Sequence, residues 1–332
     1  AVEVRAVAPD QFGNLLQHLT GSKEHNAALR ERAVRRGLRV SEYGVLAEAT
    51  GTTHRCATEA EVYGLLGLEY IEPELRENRG ELDRPPPRLI DRSDIRGDLH
   101  CHTVASDGRE TIAEMARAAA GLGYEYLAIT DHSASHGFGN HVSPEDLRRQ
   151  IERIHEVDAR MPEIRILAGS EVNILPDGSP DYADDLLAEL DWVIASVHTA
   201  FGIGSDAMTA RMVAATGHPL IDAIGHPTGR MIERRPPYPV DMDAVIAAAA
   251  ATGTLLEINS NPNRRDLSEI HARAAAQAGV GIVINSDAHA SARFEVMRYG
   301  IWTARRAWLG PEQVRNTLPW PELVKSLKRP RC

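Results

Sequence analysis

The stretch "GDLHCHTVASDG" places His100 and His102 two residues apart, with Asp107 five residues further on. On an extended strand, residues i and i+2 share a face, so both imidazoles point one way and Cys101 the other. "NSDAHAS" repeats the device with Asp287 and His289. Further donors stand in "AITDHS" (His132, with Asp131 beside it), "GSEVNI" (Glu171), "SVHT" (His198) and "GHPTGR" (His226). Imidazole and carboxylate together are the donor set of Zn²⁺, Mn²⁺ or Fe²⁺. Six histidines, two aspartates and one glutamate exceed what one ion needs, so two or three divalent ions are expected. Clustered divalent ions suit phosphoester hydrolysis, because they make water more acidic and neutralise phosphoryl oxygens. A lone buried histidine is more often a hydrogen-bonded core residue. That explanation does not extend to nine donors that fall together at strand ends. Cys101 is read as packing. His136 and His141 lie in a Gly/Ser loop and are expected to be solvated.

The elements that must position these residues lie in 95–309. Seven short apolar runs, "GDLHCHT", "YLAITDH", "IRILAGSEVNI", "DWVIASVHT", "DAIGHPT", "TLLEINS" and "GIVINSDAH", alternate with six helical runs. This β-α alternation predicts a parallel sheet or barrel, and apolar runs of this kind are buried on both faces. In a closed βα barrel the C-terminal strand ends meet at one mouth, which would bring the nine donors together. Asp131 is expected to orient a ligand imidazole, and Asn259 to hydrogen-bond the site. Arg230 and Arg264 are candidates to clamp a phosphate.

Residues 1–80 read as a small α+β domain. "VEVRAVA" is read as a strand, "DQFGNLLQHL" as a helix, and "SKEHNAALRERAVRRGL" as a helix capped by Ser22 and stopped at Gly37. "EVYGLLGL" suggests another short helix. Residues 81–94, with three consecutive prolines, are expected to be an extended linker, and 95–332 the barrel domain. "RERAVRRGLR" places Arg32, Arg35, Arg36 and Arg39 at i, i+3, i+4 and i+7, one helical face. Such a run is ordinarily a solvated face.

Composition sets outer bounds. The chain has 332 residues, 43% of them hydrophobic, and a net charge of -10, which excludes a generically basic nucleic-acid binder. Three cysteines without framework spacing fit a reducing cytoplasm. Neither a membrane-length apolar run nor a signal peptide is read. The chain opens without Met and is expected to be a piece of something longer.

The motifs "DLHCHTVASDG", "AITDHS", "GSEVNI", "SVHT", "GHPTGR" and "NSDAHAS" together resemble the PHP (polymerase and histidinol phosphatase) family over about residues 95–306. The resemblance implies a distorted (β/α)7 TIM-like barrel with a trinuclear site. Carried over by position, His100, His102, Glu171 and Asp287 look like one ion's ligands. Glu171, His198 and His226 look like a second set, with Glu171 bridging, and Asp107, His132 and His289 like a third. Some members have His where Asp107 stands. A carboxylate there favours Mn²⁺ or Fe²⁺ over Zn²⁺, which metal analysis would test.

"LTGSKEHNAALRERAVRRGLRVSEYGV" followed by "TEAEVYGLLGLEYIEPELRENRGE" resembles the palm end and thumb of bacterial family X DNA polymerases, which carry a PHP domain after the thumb. By that resemblance Gly21 and Ser22 look like the turn beside the incoming nucleotide, Asn26 like a residue near its base, and Arg30 like one reaching the template minor groove. In this setting Arg32, Arg35, Arg36 and Arg39 become candidates for phosphate-backbone contacts. Leu19 stands where the family usually has Phe. The family's third catalytic Asp aligns with Glu3, and the segment holding the first two is absent, so polymerase activity is not expected of this chain. The expected activity is metal-dependent 3′-5′ exonuclease trimming of DNA 3′ ends in repair, with DNA as partner and no protein partner evident. The alternatives are a phosphomonoesterase of histidinol-phosphatase type and a catalytically inert DNA-binding module.

Overall fold

The computed structural model describes residues 4–137 and 140–328. The chain divides into two compact units, Ala1–Arg88 and Leu89–Cys332. The divide falls inside the expected 81–94 linker, but the linker is shorter than expected. Glu81 and Leu82 are buried in the first unit, where the Leu82 carbonyl accepts a 2.8 Å bond from Arg32. Leu89 and Ile90 are buried in the second.

In the first unit, helices α1 (Phe12–Leu19), α2 (Lys23–Val34) and α3 (Glu59–Leu65) accompany an antiparallel sheet. That sheet comprises β1 (Leu38–Ser41), β2 (Gly44–Ala47) and β3 (Thr52–His54), in that order. The Ser22 hydroxyl caps α2 by accepting from the His25 N–H at 3.0 Å, as its position implies. Residues 4–8 of the expected first strand form no strand, and Glu3 lies outside the described residues. Helix α2 ends at Val34 and Gly37 turns the chain at φ +71°, so Arg39 sits on β1 and not on the helical arginine face. The unit is held by a small apolar core around Val45, Cys56 and Val62 and by a buried polar chain. In that chain, His25 bridges Glu81 (2.6 Å) and the Tyr63 hydroxyl (3.0 Å).

The second unit contains the seven expected strands, all parallel and paired in chain order. They are β4 (Gly97–Cys101), β5 (Tyr126–Ile129), β6 (Arg165–Asn173), β7 (Trp192–Ser196), β8 (Ala223–Ile224), β9 (Leu255–Asn259) and β10 (Ile282–Asn285). Every strand residue except Arg165 is buried, which is why the runs read as apolar without alternation. Helices α4 (Ile112–Gly121), α5 (Pro144–Asp158), α6 (Asp184–Ala188), α7 (Ser205–Gly217), α8 (Met242–Thr252) and α9 (Glu269–Gln277) connect them. Two helices follow, α10 (Met297–Arg306) and α11 (Trp320–Ser326). Among the described residues no helix is long and apolar enough to cross a membrane.

The lumen is layered. Leu99, Tyr126, Ala128, Leu167, Trp192, Ile194, Ala223, Leu255 and Val283 form one apolar cluster, joined by Leu323 of α11. Two or four residues further along the same faces stand Glu171 on β6, Glu257 and Asn259 on β9 and Asn285 on β10, so these strands turn from apolar to polar toward their C-terminal ends, and Asp287 follows just past β10. Strand β4 would break this parity, because Leu99 faces inward and Cys101 belongs to the outer core. Its register shifts between Asp98 and Cys101, and this irregularity puts His100 and His102 on the inner side.

Side chains stitch the barrel's last seam, between β4 and β10. Asn285 accepts from the Leu99 N–H at 3.1 Å, and the His102 N–H donates to Ala288 at 2.9 Å. Asn316 accepts from the Ile284 N–H (3.0 Å) and donates to the Gly97 (2.9 Å) and Ile284 (2.7 Å) carbonyls. Replacing Asn316 with Ala leaves those buried groups without partners. It is expected to lower stability by about 1–3 kcal/mol, read as a reduced urea midpoint.

Candidate metal centre

Glu171 stands at the centre of the mouth, fully buried on β6. Its Oε2 faces His132 Nδ1 (2.9 Å), His100 Nε2 (3.3 Å) and His102 Nε2 (3.6 Å). Its Oε1 faces His226 Nε2 (2.9 Å) and His198 Nε2 (3.2 Å). Asp287 Oδ1 lies 3.2 Å from His102 Nε2 and 3.7 Å from both His100 Nε2 and His289 Nδ1. Asp107 reaches His289 Nε2 at 3.3 Å and His132 Nε2 at 3.6 Å. All nine sequence candidates therefore meet in one place. Three sets have ligand atoms close enough to share an ion: His100, His102 and Asp287; His132, Glu171 and His198; and His102, Asp107, His132 and His289. His132 and His102 each belong to two sets, so the partition is less separate than position alone implies. His226 joins through the Glu171 oxygen that also faces His198.

These donors fit divalent cations. His100 Nε2, both ring nitrogens of His102 and Glu171 Oε2 are buried without hydrogen-bond partners. Uncompensated polar atoms of this kind are costly in a protein interior. Burial, with His289 and His132 alongside, pushes His102 down to about 4, and burial with Arg264 nearby does the same to His226. Both rings are thus neutral near pH 7 and present lone pairs. Burial opposes the charge on Glu171, but His198, His100 and His132 outweigh it and hold the carboxyl well below its ordinary range. Burial likewise opposes the charge on Asp287, and His100 and His102 keep it ionised. Burial also opposes the charge on His100, His132 and His289, but the carboxylates facing them outweigh it and push all three up, so a metal held there would take the place of their protons.

A second layer fixes the ligands. Glu257, which the sequence reading passed over, lies fully buried on β9. Its Oε1 faces His100 Nδ1 at 2.7 Å, turning Nε2 toward the cluster, and its Oε2 accepts the His226 N–H at 2.7 Å. An acidic residue in the otherwise apolar run "TLLEINS" was the available signal. Asp98, also passed over, accepts from the His100 and Ser286 N–H groups, and burial pushes it up to about 6. Asn259 does hydrogen-bond the site, donating to Asp287 (3.0 Å).

Asp131 differs from expectation. It accepts from the Thr103 N–H (2.7 Å) and hydroxyl (2.6 Å), the Ser106 hydroxyl (2.6 Å) and Gln150 (2.6 Å), and touches no ligand imidazole in these bonds. What it positions is the loop that carries Asp107. His136 is not solvated. It is 1% exposed, and its ring lies parallel to His132 with centroids 4.5 Å apart. His141 is exposed, as expected. The two candidate clamps separate as well. The Arg230 guanidinium donates to the Arg264 and Arg265 carbonyls, a bracing role. Arg264 approaches Asp287 Oδ2 at 3.6 Å, and its buried Nη1 has no hydrogen-bond partner.

In the first unit, Gly21 takes φ +94°, and a Cβ there would lie 2.7 Å from Arg76 Cβ. Asn26 accepts from Gln17 at 2.7 Å, and Arg30 meets His18 at 3.0 Å. Arg32, Arg35 and Arg36 line one cavity of about 440 Å³, whereas Arg39 pairs with Glu48 elsewhere.

A family model described as "DNA polymerase beta thumb" matches residues 15–77, and one described as "PHP domain" matches 98–260. A Bacillus subtilis protein named "DNA polymerase/3′-5′ exonuclease PolX" is 42% identical over 331 residues, 99% of this chain, which spans 58% of that relative's length. A Syntrophotalea carbinolica protein named "Probable phosphatase" is 31% identical over 229 residues, 66% of this chain and 90% of its own length. Among solved structures, histidinol phosphate phosphatase from Lactococcus lactis, complexed with zinc, L-histidinol and phosphate, aligns at TM-score 0.46 and 18% identity. The alignment covers 63% of this chain and 93% of that one. With its donors in one mouth, its seven parallel strands in chain order, the two family models and the two sequence relatives, the chain belongs to the PHP domain family and carries a polymerase-thumb segment ahead of the barrel, as bacterial family X DNA polymerases do.

Proposed function

We propose that the barrel unit is a metal-dependent phosphoester hydrolase acting as a 3′-5′ exonuclease on DNA ends, with two or three Mn²⁺, Zn²⁺ or Fe²⁺ ions. The single observation that carries the reading is Glu171, whose two carboxylate oxygens face five imidazoles within 3.6 Å at the mouth of the barrel. The ions would supply an acidified water and neutralise the phosphoryl oxygens. The chain's residues do the rest. Glu171, Asp287 and Asp107, with the six histidines, hold the cluster. Glu257 and Asn259 keep His100 and Asp287 aimed. Arg264 has a buried, unpartnered N–H group beside Asp287 and is suited to a non-bridging phosphate oxygen. The thumb segment supports DNA as substrate, with Arg32, Arg35 and Arg36 as backbone contacts and Gly21, Ser22, Asn26 and Arg30 as further candidates. A DNA-processing role fits a cytoplasmic protein.

The test is release of nucleotides from 3′-labelled single- and double-stranded oligonucleotides in Mn²⁺, beside a generic phosphomonoester and a His100→Ala control. Nucleotide release that vanishes in the variant supports the reading. Turnover of the monoester alone moves the assignment to a histidinol-phosphatase type, the reading that the relative named a phosphatase favours. Inactivity on both substrates with metal bound leaves an inert DNA-binding module. Arg264→Ala is expected to raise KM and lower kcat together, costing about 10²-fold in kcat/KM. Arg230→Ala is expected to act mainly on stability.

A further inference from the structure

A cavity of about 770 Å³ opens beside the metal centre, between the loop after β4 and helices α4 and α5. Its walls are largely apolar, with Val104, Ala105, Ile112, Ala113, Val142 and Val157. Its size is that of a small-molecule site. The charges at its rim are not equivalent. Arg149 is paired with Glu145 (2.7 Å) and Asp146 (2.5 Å), and Glu156 with Arg160 (3.8 Å). Among the described residues, Arg153 on α5 has no ionic or hydrogen-bonded partner, so one guanidinium at the rim is free to meet an anion although the rim as a whole is balanced in charge. An apolar slot under a single free guanidinium suits a flat hydrophobic group attached to one anionic group.

We propose that this cavity binds a nucleoside monophosphate, with the base against the Val104–Ile112–Val157 wall and the phosphate on Arg153. The cavity and its free guanidinium are independent of the hydrolytic reading, but the choice of a nucleotide over another planar anion rests on it, since such a molecule is the product of 3′ trimming. The site also adjoins the metal centre. Thr103 and Gln150 both line it, and both donate to Asp131, the carboxylate that holds the loop from His102 to Asp107.

The test is equilibrium dialysis of the full chain against radiolabelled dAMP in the presence of a chelator, so that neither metal binding nor turnover contributes. Saturable binding at one site is expected. Arg153→Ala, an exposed change, is expected to weaken it about tenfold or more. Ala113→Trp fills the slot and is expected to abolish it. Both variants should hydrolyse a phosphodiester at the wild-type rate, and circular dichroism checks that Ala113→Trp folds. Inorganic phosphate and deoxyadenosine are each expected to compete more weakly than unlabelled dAMP. The proposal is overturned if dAMP fails to bind, if binding survives both substitutions, or if phosphate alone competes as well as dAMP. Binding that behaves as expected in a chain that proves unable to hydrolyse DNA would sink the hydrolytic reading and leave the site standing.

Discussion

Glu171→Gln is expected to reduce hydrolysis by about 10³-fold or more, equivalent to about 4 kcal/mol of barrier. The substitution keeps the shape of the side chain and removes its charge. In the wild-type protein both oxygens of Glu171 accept from or face imidazole nitrogens, five in all, at 2.9–3.6 Å. A carboxamide has one acceptor oxygen, and its NH₂ would point at lone pairs that have to stay available. One oxygen of the side chain faces His132, His100 and His102 and the other faces His226 and His198, so its loss loosens both groups of rings. Metal content should fall along with activity, while the circular dichroism spectrum stays unchanged. Activity within tenfold of wild type, at full metal content, would contradict the central position given to this residue.

Glu257→Gln is expected to weaken metal binding about 10–100-fold, the range found for residues that orient a ligand histidine. Glu257 touches no cluster carboxylate and is not a ligand in any of the three sets. It acts through His100. The 2.7 Å contact to Nδ1 selects the tautomer with Nε2 free for the cluster, and Asn285 holds the carboxylate in place at 2.9 Å. A carboxamide can rotate its NH₂ toward Nδ1 and reverse that choice. The signature of a positioning role is therefore specific. Excess Mn²⁺ should restore kcat to near the wild-type value, with the deficit confined to apparent metal affinity. A merely structural role would lower thermal stability and leave metal affinity unchanged, which is the opposing result.

The barrel was legible because parallel strands buried on both faces leave a pattern of short apolar runs that little else produces. The metal centre was legible because the donors follow the C-terminal ends of strands that meet at one mouth; Asp287 and His289 do so past the end of β10, where Asp287 takes φ +54° and strand alternation no longer applies. Other features depend on contacts that no local pattern encodes. Glu257 meets His100 across 157 positions of sequence, and in its own run it reads only as a polar interruption. Strand β4 supplies an inward-facing histidine pair only because its register shifts between Asp98 and Cys101. In its Gly/Ser surroundings His136 reads as a solvated residue, yet it is buried with its ring on His132. Strands β1 to β3 are three or four residues long, too short for alternation to register. In the sequence Arg39 extends an arginine face because helical spacing continues past Gly37, where in the structure the chain has already turned.

The central claim is that one mouth of this barrel holds a multinuclear divalent-metal centre built on Glu171. Its most direct test is elemental analysis of the full chain after dialysis against Mn²⁺ and removal of free ion, for wild type and for Glu171→Gln. Two or three equivalents per wild-type chain, falling below one in the variant, is the predicted result. Fewer than one equivalent in wild type, or equal content in both proteins, would contradict it.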